Sequence, residues 1–155
     1  MCSSDLHATA ASGLVGLGEV HSFHHYDLPE SIEYYVDCYR QWLGANGRQA
    51  LPLWLTEAGS HVTQPITRGS ADATPDRTRG MILLAKVVEA YAGGVARFFA
   101  FLYAPYHEAG QDFSMTDPAG SPYRNLATYV NAARVLRGKE FIGDWPVNEI
   151  GRAHV

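Results

Sequence analysis

Cysteine is nearly absent from this chain. Of its two, Cys2 sits in a terminal stretch that reads as foreign to the protein, which leaves Cys38 alone and no intrachain disulfide. Cys38 lies among tyrosines on a helical pattern and reads as a small buried hydrophobe. No run of Lys or Arg occurs, and the net charge is −4, so nucleic acid and anionic membrane surfaces are not expected partners. No apolar stretch reaches the roughly 20 residues that cross a bilayer. Gly-x-Gly-x-x-Gly and Gly-rich phosphate loops are missing, so no nucleotide fold is indicated and no cofactor is implied.

The two ends form a pattern of their own. When Ile150–Val155 is back-translated and the complementary strand is read from a GTG start, the product is Met-Cys-Ser-Ser-Asp, the sequence of Met1–Asp5. Residues 1–6 and 149–155 therefore read as one oligonucleotide translated on opposite strands, resembling a sequencing adapter, and are set aside. Residues 7–148 carry the protein's own information, and the gene is expected to continue on both sides. A signal peptide is left open.

What the chain does contain alternates between two periodicities. Val20–Tyr26 reads as a strand. Pro29 follows Asp27, a suitable helix cap, and opens a helix to about Leu43 with Ile32, Val36, Tyr39 and Leu43 on one stripe. Gly44 and Gly47 stop it. Leu51–Thr56 is a second strand, followed by a polar loop from Ser60 to Ala73. Thr74-Pro-Asp starts a helix expected to bury Met81, Leu84, Ala85 and Val88 before Gly93-Gly94. Val95–Tyr103 is a third strand, the loop 104–122 follows, and Tyr123–Leu136 is a last helix ended by Gly138. Residues 139–148 read as the start of an accessory β segment.

Near-continuous apolar strands separated by helices imply a parallel sheet covered by helices, an α/β fold. The long loops follow strands and the helix-to-strand turns are short. That asymmetry fits a (β/α)₈ TIM barrel whose working loops lie at one end, and a doubly wound sheet gives the same alternation. The chain is too short for a complete barrel, which takes about 250 residues.

Glu57 is the most informative residue. The run Leu51-Pro-Leu-Trp-Leu-Thr climbs to one carboxylate and then breaks at Ala58-Gly59. Nothing in such a strand needs a carboxylate to fold, and an unpaired acid beside apolar neighbours costs free energy. A helix-cap or salt-bridge role is the plainer alternative. His24 and Tyr26 are two apart on a strand and share a face. A buried tyrosine and a core histidine satisfied by backbone are the alternatives there. His25 points the other way and reads as structural. His21, His24 and His25 prompt a metal-dependent hydrolase, but that spacing does not put three imidazoles on one strand face, so no metal site is expected.

His24-His-Tyr26, Trp54-Leu-Thr-Glu-Ala-Gly59 and Phe98-Phe-Ala-Phe-Leu-Tyr103 together resemble strands six, seven and eight of clan A glycoside hydrolases. Phe113-Ser-Met-Thr-Asp117, Pro122-Tyr123 and Leu136-Arg-Gly138 resemble the tail of that barrel, so residues 7–138 correspond to its C-terminal part. The resemblance implies a retaining β-glycosidase acting on an oligosaccharide or polysaccharide. Glu57 then matches the nucleophile, Tyr26 the donor of a hydrogen bond to it, and His24 a contact to the sugar. The family often places a Trp late in the eighth strand as a sugar platform; here Tyr103 or Phe101 is the substitute. The family's acid/base, the Glu of an Asn-Glu pair ending the fourth strand, has no counterpart before Glu57, and Asn148-Glu149 lies beyond the barrel. The chain alone is thus expected to be inactive and of low stability, because an opened barrel exposes strand edges. A carbohydrate-binding barrel that has lost its acid is the alternative function.

Overall fold

The structure, a computed structural model, describes residues 10–63 and 74–144. The terminal stretches 1–6 and 149–155, most of the loop from Ser60 to Ala73 and the end of the segment 139–148 lie outside them.

Three strands form one parallel sheet in the order β1-β2-β3: β1 is His21–His24, β2 Leu53–Ala58 and β3 Arg97–Ala100. Three long helices alternate with them: α1 is Ile32–Ala45, α2 Thr74–Ala92 and α3 Arg124–Leu136. β1 and β3 are shorter than their apolar runs, because only part of each run finds a ladder partner, and β2 starts at Leu53 rather than Leu51. β2 reaches two residues beyond Thr56, so Glu57 lies within the strand.

Phe23, Leu53, Leu55 and Ala58 face the helices, where they pack with Ile32, Val36, Trp42, Leu43 and Ala90. The stripe on α1 holds, except that Trp42 is buried and Tyr39 only partly so. Asp27 does not cap this helix. A 3-10 turn, Pro29–Ser31, precedes it with Leu28 at the cap position, and Asp27 accepts a hydrogen bond from the Tyr35 hydroxyl at 3.1 Å.

Both helix-to-strand turns are tight for a shared reason. Gly47 and Gly94 take left-handed backbone with φ of 68° and 71°. At each, two amides turn back onto the last helical turn: Gly47 to Gly44 and Arg48 to Leu43, then Gly94 to Tyr91 and Val95 to Ala90. These pairs are Schellman closures, which satisfy the free carbonyls and aim the chain straight into β2 and β3.

The buried face of α2 is not the expected one. Met81 and Val88 are exposed, and Leu84 and Ala85 are half-buried. Arg79, Gly80, Leu83, Lys86, Val87 and Ala90 are buried instead. The two cations can sit inside because backbone carbonyls receive them. Lys86 Nζ donates to Gly59 O at 2.9 Å and to His25 O at 3.4 Å, while Arg79 donates to Ser114 O and faces Asp112 at 3.6 Å. The loop 104–122 is also less irregular than expected. It holds an antiparallel hairpin, β4 (His107–Glu108) and β5 (Gln111–Asp112), turned at Ala109 and Gly110 with positive φ. Residues 139–144 carry no strand.

Candidate active site

The C-terminal ends of β1 and β2 meet at Glu57. Simple alternation along β2 would send Glu57 to the helix side with Leu53 and Leu55. A bulge prevents this. Phe23 pairs with Leu55 but His24 pairs with Glu57, so Thr56 is the extra residue, and its hydroxyl donates to Phe23 O at 3.3 Å. The bulge turns Glu57 to the open side of the sheet, where His24 and Tyr26 also project. Bulges beside functional sites commonly re-aim a side chain in this way.

The Tyr26 hydroxyl donates to Glu57 Oε2 at 2.5 Å, and His24 Nδ1 lies 3.4 Å from the same oxygen. Glu57 is partly open to solvent, with 35% of its side chain exposed, so a ligand can reach the carboxylate. Burial, then the hydrogen bond and charge of Glu57, push the Tyr26 phenol above its usual range. Tyr26 therefore remains a proton-bearing donor at any ordinary pH.

The backbone under this pair is fixed by buried groups. The His25 amide donates to Glu57 O at 2.8 Å. Lys86 joins the carbonyls of His25 and Gly59, one residue from Tyr26 and two from Glu57. Burial pulls the Lys86 ammonium down to about 8. His25 is buried, and its Nε2 lies 2.8 Å from the Ser31 hydroxyl. Burial, and then the charge of Lys86, hold its imidazole at about 4, so it is neutral near pH 7.

Aromatic rings form one wall. Phe101 lies edge-on to Tyr26 at 5.9 Å, to Phe113 at 5.7 Å and to Tyr106 at 5.4 Å, and His61 packs on Phe113 at 5.3 Å. Phe101 therefore adjoins the Glu57 pair. Tyr103 does not: the residue is 63% exposed and its ring makes none of these contacts. Phe113, buried in this wall, was not picked out from sequence as a site residue, because an apolar loop residue gives no such signal. Gly59 is tightly enclosed, with a Cβ there falling 2.5 Å from Phe101 O and 3.2 Å from Phe113 Cδ1.

Among the described residues no three His, Cys, Asp or Glu side chains gather as a metal-binding group. His21 packs on Tyr39 and Trp42, and His25 is enclosed beside Ser31, so neither joins His24 at Glu57. No described helix is long and apolar enough to cross a membrane. A hollow of about 610 Å³ between α2, α3 and β3 lies on the helix side of the sheet, and no carboxylate lines it.

No family model and no curated protein matches the chain. Its structure is similar to part of a GH2 beta-galacturonidase from Eisenbergiella tayi, solved bound to glycerol. The TM-score is 0.58 at 17% identity, over 85% of this chain and 26% of that one. At that identity the likeness concerns the fold: a mixed α/β arrangement of three parallel strands and covering helices, as found within a glycoside hydrolase.

Proposed function

We propose that this chain is the C-terminal part of a (β/α)₈ barrel of clan A type and belongs to a retaining β-glycosidase with Glu57 as nucleophile. β1, β2 and β3 are its sixth, seventh and eighth strands. The observation that carries the reading is the Tyr26 hydroxyl 2.5 Å from the Glu57 carboxylate, with His24 at 3.4 Å, at the ends of adjacent parallel strands. The structural neighbour supports a glycoside hydrolase origin. This chain spans only about a quarter of that protein's length, so the whole protein's activity is part of the proposal.

In the first step a Glu57 oxygen attacks the anomeric carbon while a second carboxylic acid, supplied by preceding sequence, protonates the leaving oxygen. Water then attacks the glycosyl-enzyme with that second group as base and releases Glu57. Tyr26 keeps Glu57 aimed, because its donated hydrogen bond leaves the other carboxylate oxygen free for attack. His24 borders the sugar, and Phe101 supplies apolar surface behind it.

The test is Glu57→Gln in the intact enzyme. Hydrolysis of aryl β-glycosides should fall by about 10⁴-fold or more, as for other lost nucleophiles. Azide should restore turnover of the Glu57→Ala variant and give a glycosyl azide. Undiminished hydrolysis by Glu57→Gln overturns the assignment.

A further inference from the structure

We infer that Lys86 is a positioning residue for the Glu57–Tyr26 pair, acting from behind the sheet by holding β1 and β2 together where their ladder ends. The inference rests on the glycosidase reading for its effect on turnover, but not for its effect on the geometry of the pair.

The pairing of β1 with β2 runs from His21 and Leu53 to His24 and Glu57, and the His25 amide then donates to Glu57 O at 2.8 Å. Beyond that rung lie the carbonyls of His25 and Gly59. Among the described residues no backbone amide donates to either. Lys86 takes both. Its side chain, 1% exposed, reaches from α2 on the helix side, and Nζ donates to Gly59 O at 2.9 Å and over a longer 3.4 Å to His25 O. One ammonium thus stands where the next rung would be. It lies across the sheet from the Glu57 carboxylate, so it acts on the pair through the backbone.

The charge is held at a cost. Burial pulls the ammonium down to about 8, against the opposing pull of Asp27. A methionine would fill similar space without that cost, but it would leave two carbonyls without a donor. The two residues it holds flank the pair, since His25 precedes Tyr26 and Gly59 lies two beyond Glu57. Each is pinned elsewhere as well. The His25 ring meets the Ser31 hydroxyl at 2.8 Å, and Gly59 sits so close to Phe101 O that a Cβ there would fall 2.5 Å from it. The freedom left for Lys86 to remove is the separation of the two strand ends. The Tyr26–Glu57 contact of 2.5 Å is sensitive to it, because a parting of about 1 Å takes that contact to the limit of hydrogen-bond range.

The experiment has two arms. In the chain, tyrosines carrying ¹³C at Cζ are followed by NMR, with the Tyr26 signal assigned by its loss in Tyr26→Phe. Glu57→Gln, which weakens the bond to the phenol, should move that signal. Lys86→Met should move it toward the same position, whereas Val36→Ala, a core truncation on α1, should leave it in place. Lys86→Gln keeps donors on a shorter stem and should move the signal the same way by less; it carries the test if Lys86→Met does not fold. In the intact parent protein, Lys86→Met should lower kcat on aryl β-glycosides by about 10- to 100-fold and leave KM within about twofold, because Lys86 does not touch substrate. Val36→Ala should keep its kcat at temperatures where both variants are folded. A parent protein without glycosidase activity refutes the glycosidase reading, while the tyrosine signal still tests Lys86. A Tyr26 signal that stays at the wild-type position in Lys86→Met or in Glu57→Gln, an equal move in Val36→Ala, or an unchanged kcat in Lys86→Met overturns the inference.

Discussion

Replacing Gly59 with alanine adds one methyl at the point where β2 leaves the sheet, two residues from Glu57. That Cβ would lie 2.5 Å from Phe101 O and 3.5 Å from Phe101 C, and it would also touch Phe113 Cδ1 at 3.2 Å. Ordinary contact begins near 3.4 Å, so the oxygen and the methyl must separate by about 0.9 Å. The obstacle is backbone, which cannot swing aside as a side chain would. Overpacking of this kind costs about 1–3 kcal/mol, and a rigid partner places the cost toward the upper end. The displaced segment carries Phe101, which packs on Tyr26, so a shift approaching 1 Å should also lower kcat/KM of the proposed intact glycosidase by up to about 100-fold. Gly44, near the end of α1, is the matched control. A Cβ there meets nothing within 4 Å, so Gly44→Ala should be neutral or slightly stabilising. Urea denaturation of both variants in parallel is the assay. Equal stability of Gly59→Ala and Gly44→Ala would refute the reasoning about the Phe101 approach.

Stability should depend on pH through His25. The unfolded chain takes a proton near pH 6.5 that the folded protein refuses until about 4. Stability is therefore fully present above 6.5 and falls as the pH drops toward 4, by up to about 3 kcal/mol. His25→Gln, which retains a partner for Ser31, should flatten that slope in urea titrations across the window. His21 and His61, lowered mainly by burial, leave a smaller residual slope of the same sign. Asp112→Ala removes the partner of buried Arg79 and the acceptor of the Ser114 amide. It should destabilise by about 3 kcal/mol and raise amide exchange across the loop 104–122 first. The purified chain, with one carboxyl of the proposed pair, should not hydrolyse aryl β-glycosides; measurable turnover proportional to its concentration contradicts the two-carboxylate account.

The alternation of elements was legible because each apolar run is bounded by Gly or Pro, and the glycines at 47 and 94 do close the helices into strands. The face of α2 was not. A hydrophobicity pattern selects Met81, Leu84 and Val88, whereas the fold buries Lys86 and Arg79, whose cost is met by carbonyls of distant segments that no local pattern reveals. The β4–β5 hairpin was hidden because its strands have two residues each and its turn is Ala109-Gly110 rather than Asn-Gly. Glu57 stood out by its chemistry alone. Its approach to Tyr26 depends on the bulge at Thr56, which strict alternation does not foresee. Tyr103 and Phe101 could not be ranked by sequence, since both are aromatic and two residues apart, yet only Phe101 turns into the ring cluster.

The most direct measurement is covalent trapping of the intact parent protein proposed to be a glycosidase. It would be incubated with 2-deoxy-2-fluoro-β-glycosyl fluorides of several neutral sugars and digested, and the labelled peptide sequenced by mass spectrometry. The account predicts one fluoroglycosyl group, on Glu57. A label on another carboxylate, or turnover without any trapped intermediate, would contradict it.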